Sequence, residues 1–146
     1  MALNKILIPT DGSDYTKPAI KQAIELAKMS GAEVTALYVL DQTVLTNMPM
    51  DTAVMNVYKT LEKEGQEAVD YVLDLAKENG VTAQVSVKEG TPVKVILDES
   101  PNYDMIVMGT LGRTGMSKLL MGSVAERVVR AASCPVLVVR SSEASQ

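Results

Sequence analysis

The feature that most constrains this chain is a regular exchange between two hydrophobic patterns. Short aliphatic runs alternate with longer segments whose apolar residues recur every three to four positions. Leu3 to Ile8 reads as a buried strand. Tyr15 to Ser30 reads as a helix with Ile20, Ala23, Ile24 and Ala27 on one face, and Gly31 stops it. Val34 to Leu40 is a second strand. Thr52 to Asn79 is a long amphipathic helix carried by Met55, Tyr58, Leu61, Ala68, Val72 and Leu75. Gly65 weakens that helix by about 1 kcal/mol against Ala, and Gly80 ends it. Val81 to Val87 alternates with period two, and Thr91-Pro92 opens a helix that stops before Pro101. Tyr103 to Met108 is a fourth strand, Ser123 to Ala132 the last helix and Val136 to Val139 a fifth strand.

Aliphatic strands separated by helices predict an α/β fold, a parallel sheet covered on both faces. Right-handed crossovers narrow this to a doubly wound sheet. Ligands of such sheets sit beyond the carboxyl ends of the strands, where the strand order reverses. The 146 residues favour one domain over 1–146, with 141–146 expected to be a frayed polar tail. Two connections are long for a small domain, Asp41 to Asp51, with Met48 and Met50, and Gly109 to Gly122.

Composition removes several function classes. The net charge of −4 argues against nucleic-acid and anionic-membrane partners, which need a broad basic face. No run of apolar residues is long enough to span a bilayer, and Met1 to Ile8 carries no signal-peptide pattern. A lone cysteine, Cys134, forms no internal disulfide. Together these lead to the expectation of a cytoplasmic protein. Histidine is absent, which removes the commonest general base and metal ligand. Without it Cys134 is expected to be structural rather than nucleophilic.

The segment from Gly109 to Ser123 leaves a strand and enters a helix. Gly109, Gly112, Gly115 and Gly122 let a ligand approach the backbone closely. Amides in such turns and at the following helix end form an anion site. Between residues 109 and 130, Arg113, Lys118, Arg127 and Arg130 face only Glu126, a positive island in an acidic chain. Two readings compete there. Ser123 with Glu126 also spells a capping box that needs no ligand, and Arg127 with Arg130 also fits a solvated helix face. At the end of the first strand, Asp11 either accepts from ribose hydroxyls or serves the Asp-Gly turn it begins.

The spacing Gly109-x2-Gly112-x9-Gly122-Ser123 resembles the ATP-binding signature of the universal stress protein family. The opening Ile-Leu-Ile-Pro-Thr-Asp-Gly-Ser and the stretch from Gly122 to Arg140 are similar to that family as well. The resemblance implies a five-stranded sheet of order 3-2-1-4-5 and an adenine nucleotide, ATP or else AMP or ADP, as ligand. It places Asp11 on the ribose and Pro9, Thr10 and the backbone of Val39 against adenine, with Met108 nearby. Gly109 would approach the ribose and α-phosphate, and Gly112, Gly122, Ser123 and Val124 would give amides to phosphates, with Arg113 adding charge. Leu111 departs from the polar residue many members carry there. Asp11 is a thin Mg²⁺ candidate because it is a single carboxylate. The resemblance also implies a homodimer through Val136 to Val139, a bare aliphatic edge that needs cover.

Three functions remain open on the sequence. One is an ATP-binding stress-response or regulatory protein whose output is conformational, with an unknown protein partner. Another is a slow ATPase or autophosphorylating protein using Thr114, Ser117 or Ser123, against which the lack of a general base counts. The third is a nucleotide-free dimeric interaction module. No Walker motif and no Gly-x-Gly-x-x-Gly turn is present.

Overall fold

In the computed structural model, residues 2–42, 51–111 and 121–140 are described. Gly112, Arg113, Thr114, Ser117, Met48, Met50 and the expected tail lie outside the described residues. The elements run β1 (Lys5–Pro9), α1 (Lys17–Ser30), β2 (Glu33–Asp41), α2 (Thr52–Glu78), β3 (Ala83–Gly90), α3 (Pro92–Glu99), β4 (Met105–Gly109), α4 (Ser123–Ala131) and β5 (Val136–Val139). The strands form one parallel sheet of order β3-β2-β1-β4-β5. This is the doubly wound order expected above.

Period-two alternation decides which helix each strand residue meets. Ile6 and Ile8 of β1 pack with Ala36 and Tyr38 of β2 under α1 and α2. Leu7 and Leu37 point the other way, onto Ile96 of α3 and Ala125 and Val128 of α4. The sheet therefore has a core on each face. Each buried Leu or Ile adds about 1.5–3 kcal/mol. Among the described residues, no helix is long and apolar enough to cross a membrane.

Several boundaries differ from the sequence reading by a few residues, and three of them have a clear local cause. The first helix begins at Lys17, after a 3-10 turn over Asp14–Thr16, rather than at Tyr15. Pro18 lacks an N–H and fits only the first turn of a helix, so it fixes the start. β3 begins at Ala83 because the Val81 amide is spent on Ala76 O at 2.9 Å, closing the end of α2. β4 begins at Met105. Before it, the Asp104 carboxylate accepts the amides of Asn4 and Lys5, both at 2.9 Å, and aligns the entry of β1.

Gly65, a weak point by propensity, has a tertiary reason. A Cβ there would lie 2.6 Å from the ring of Tyr38, which is buried at 3% exposure. The missing side chain lets α2 sit down on β2. At its other end α2 is capped by Asp51, whose carboxylate accepts Val54 N–H at 3.1 Å. Tyr58 then ties α2 to the end of β3 by donating to Glu89, and that bond raises the Tyr58 pKa.

Candidate functional site

β1 stops pairing with β2 at Pro9–Leu37, while β2 stays paired with β3 as far as Asp41–Gly90. β2 thus outruns its neighbour at the carboxyl edge. The adjoining strand β4 ends at Gly109, and α4 begins at Ser123. A cleft of about 390 Å³ opens over these strand ends. Pro9, Thr10, Asp11, Val39, Met108, Gly109, Gly122, Ser123 and Val124, named from the sequence, all line it. Two further named residues, Gly112 and Arg113, lie outside the described residues.

The turn after β1 is held by its own side chains. Thr16 Oγ1 donates to Ser13 O at 2.8 Å, so in the 2.9 Å pair Thr10 Oγ1 donates to Thr16 Oγ1. Thr10 Oγ1 in turn accepts Gly12 N–H at 3.1 Å. Gly12 carries the positive φ, 82°, that the turn needs. Asp11 Oδ1 accepts Ser13 N–H at 2.9 Å, which fixes the carboxylate at the tip of β1. The turn role and the ligand role weighed for Asp11 are compatible, because one carboxylate has several lone pairs.

The far lip of the cleft is built on Thr110. Its N–H reaches Val139 O at 3.1 Å, and its C=O accepts the Gly122 amide at 2.6 Å. A Cβ on Gly122 would stand 3.3 Å from that same carbonyl, and one on Gly109 would stand 3.1 Å from Tyr15 O. Both glycines are therefore placed by close backbone approach. The Gly122 amide, expected from the resemblance to meet a phosphate, is engaged here with Thr110. Anion donors at the start of α4 would then come from Ser123 and Val124.

The capping box does not form. Gly122, not Ser123, is the N-cap of α4, and no side chain caps it. Glu126 instead pairs with Arg130 at 2.9 Å on the exposed face. Arg127 is exposed as well, so the solvated-face reading holds for both arginines. Ser123 is exposed beside the cleft at the positive end of the helix dipole. Among the described residues no group of three acidic, Cys or His side chains could hold a metal.

Other cleft residues escaped the sequence reading. Leu37 and Asp41 could have been found from Val39, two positions away on the same strand face. Pro92 and Ile96 follow from the i,i+4 spacing of α3. Leu61 carries no local signal, because α2 brings it there, and Tyr38 borders the cleft from β2 itself.

A second hollow of about 460 Å³ lies on the other side of the Thr10–Thr16 pair, against α2. It touches no strand end beyond Thr10. Lys17, salt-bridged to Asp14 at 2.9 Å, sits 5.1 Å over the Tyr71 ring there, and its pKa is raised by the hydrogen bond to Asp14. The buried Ser13 Oγ has no partner among the described residues. Cys134 is half-buried against the α3–α4 core, remote from both hollows. Burial, then the charge of Asp104, pushes its thiol up, which fits a structural role.

The profile of the universal stress protein family matches residues 2–140. Universal stress protein MJ0531 of Methanocaldococcus jannaschii is 46% identical over 138 residues, spanning 93% of this chain and 81% of that protein. A solved structure of a hypothetical protein, MJ0577, superposes with a TM-score of 0.83 at 27% identity, covering 96% of this chain and 97% of the other. Two more distant structures share the fold. One is a universal stress protein in complex with cAMP, with TM-score 0.68, 24% identity and coverage of 97% and 100%. The other, from Arabidopsis thaliana with AMP bound, has TM-score 0.68, 18% identity and coverage of 94% and 91%.

Proposed function

Because this chain belongs to the universal stress protein family, and its sheet ends in a cleft, we propose that it binds an adenine nucleotide, ATP by preference, along that edge. The observation that carries this reading is the order of chemistry across the edge. β2, β1 and β4 stand side by side, each about 4.8 Å from the next. They offer in turn an apolar slot with a bare backbone edge, a carboxylate, and a glycine lip leading to a helix N-terminus. That sequence suits a base, a ribose and a phosphate chain, and the roughly 10 Å span suits a nucleoside.

Each part has a physical task. Leu37 C=O faces β1, where it accepts Thr10 N–H at 2.9 Å. Two residues on, the Val39 N–H and C=O face the same way, a donor and an acceptor for the N1 and N6 edge of adenine. Val39 and Met108 supply apolar contact, and Asp11 accepts from the ribose hydroxyls. Ser123 and Val124 give main-chain donors to phosphate at the positive end of α4. Hydrogen bonds to charged groups contribute about 1.5–3 kcal/mol each. The related structures holding cAMP and AMP were solved on other proteins of this fold; the donors and acceptors of this cleft bring the idea to this chain.

The output of binding is conformational in this proposal. Thr110 joins the lip at Gly122 to Val139, the last residue of β5. β5 is an edge strand of four half-buried aliphatic residues, whereas the opposite edge, β3, carries Lys88 and Glu89. Charges discourage edge pairing, and a bare aliphatic edge invites it. A second copy of the chain covers β5 in this reading, and nucleotide at the lip biases that pairing.

Acid extraction of the purified protein, followed by mass analysis, should release an adenine nucleotide, and calorimetry should give micromolar ATP affinity. Protein that carries no nucleotide and takes up none in titration would leave the nucleotide-free interaction module as the answer. Sedimentation with and without ATP reads the dimer, and Val138→Lys should leave a monomer.

A further inference from the structure

Resting on the nucleotide reading, we infer that the Asp41 carboxylate selects the base, accepting a hydrogen from an exocyclic amino group and repelling a keto oxygen at the same place. Leu37, Val39 and Asp41 occupy alternate positions of β2 and line the same cleft. Ala36, Tyr38 and Leu40 pack into the core on the opposite face. Asp41 therefore stands two residues, about 7 Å, farther out than Val39. It lies in the stretch of β2 that has outrun β1.

Charge narrows what can lie beside it. Among the described residues lining the cleft, Asp11 and Asp41 are the only charged ones, and both are acidic. Asp11 sits at the tip of β1, in the middle of the edge. Asp41 sits on the β2 side, opposite the lip of Gly109 and the start of α4. A phosphate chain is repelled from the β2 side and attracted to the helix end, which puts the base beside Asp41. Pro92 and Ile96 of α3 make the neighbouring wall apolar. A carboxylate next to a ligand in such a wall favours a ligand group that brings a donor and disfavours one that brings another acceptor. The amino group of adenine has two hydrogens. The Val39 C=O takes one, and Asp41 takes the other. Hypoxanthine, with a keto oxygen there, meets the carboxylate lone pairs instead. Removing a hydrogen-bond donor from the ligand of a buried polar site is penalised more than trimming a methylene.

The test measures ATP and ITP affinities by calorimetry for the wild type, Asp41→Ala and Asp41→Asn, with melting curves as the folding control. The wild type should prefer ATP by about tenfold or more. Asp41→Ala should cut that preference about threefold or more, weakening ATP while tightening ITP, and the Val39 N–H and C=O keep the rest. A purely structural role would weaken both ligands together and does not produce that crossing. Asp41→Asn keeps the shape, so flattened selectivity there assigns the effect to charge. ATP binding with an unchanged ATP/ITP ratio in both variants overturns the inference and leaves the nucleotide reading standing. Failure of the wild type to bind either nucleotide overturns both.

Discussion

Thr10 and Thr16 stand between two hollows of similar size, about 390 Å³ over the strand ends and about 460 Å³ against α2. The first is walled by the ends of β1, β2 and β4 and by the start of α4. Its polar groups include backbone freed from the sheet and from the helix. The second is walled mainly by α1, α2 and the turn between β1 and α1. Its cation is already paired with Asp14 and stacked on Tyr71. Volume alone does not separate them. The difference teaches that parallel strands which end at different lengths create donors and acceptors facing one space, whereas packed helices satisfy their own backbone.

The sharpest way to break this contrast is at the lip. Gly122→Val puts a branched side chain against Thr110 O and should lower ATP affinity about a hundredfold, measured by calorimetry. The melting temperature should move far less than the affinity. Next comes the floor of α2, where Gly65→Ala should do the reverse. Ala gains about 1 kcal/mol of helix propensity, but its Cβ collides with the Tyr38 ring. We expect a net loss of about 1–3 kcal/mol in denaturant unfolding, with ATP affinity of the folded protein largely retained.

Smaller effects sharpen the comparison further. Asp11→Asn keeps the acceptor for Ser13 N–H and removes the charge, so ATP affinity should fall about tenfold with the fold intact. In the second hollow, Glu67→Gln should leave ATP affinity within about twofold. Ser13→Ala removes the unpartnered buried oxygen and should be neutral or raise stability by up to about 1 kcal/mol. A Glu67 substitution that weakened ATP as much as the one at Asp11 would erase the distinction between the two hollows.

Much of this arrangement was legible in the sequence, because the strands are short aliphatic runs and the lip is marked by glycines. Strand order and both helical layers follow from periodicity together with the family resemblance. What escaped the sequence depends on contacts between distant segments. Gly65 read as a defect because Tyr38 is far away along the chain. The Ser123–Glu126 box read as a cap because its spacing is right, yet the helix starts one residue too early, at Ser123 itself, for Ser123 to cap it. Asp41 went unnoticed because its significance lies in how far β2 outruns β1, a matter of pairing. Asp51 caps α2 from the end of a connection that had no reason to be read residue by residue.

The most direct measurement is an amide chemical-shift map of the isotope-labelled protein during titration with ATP and Mg²⁺. The largest changes should fall at Val39, Gly109, Ser123 and Val124, while Ala68 and Tyr71 beside the second hollow stay still. Saturable changes confined to Lys17, Ala68 and Tyr71, with the strand-end amides unmoved, would contradict the account.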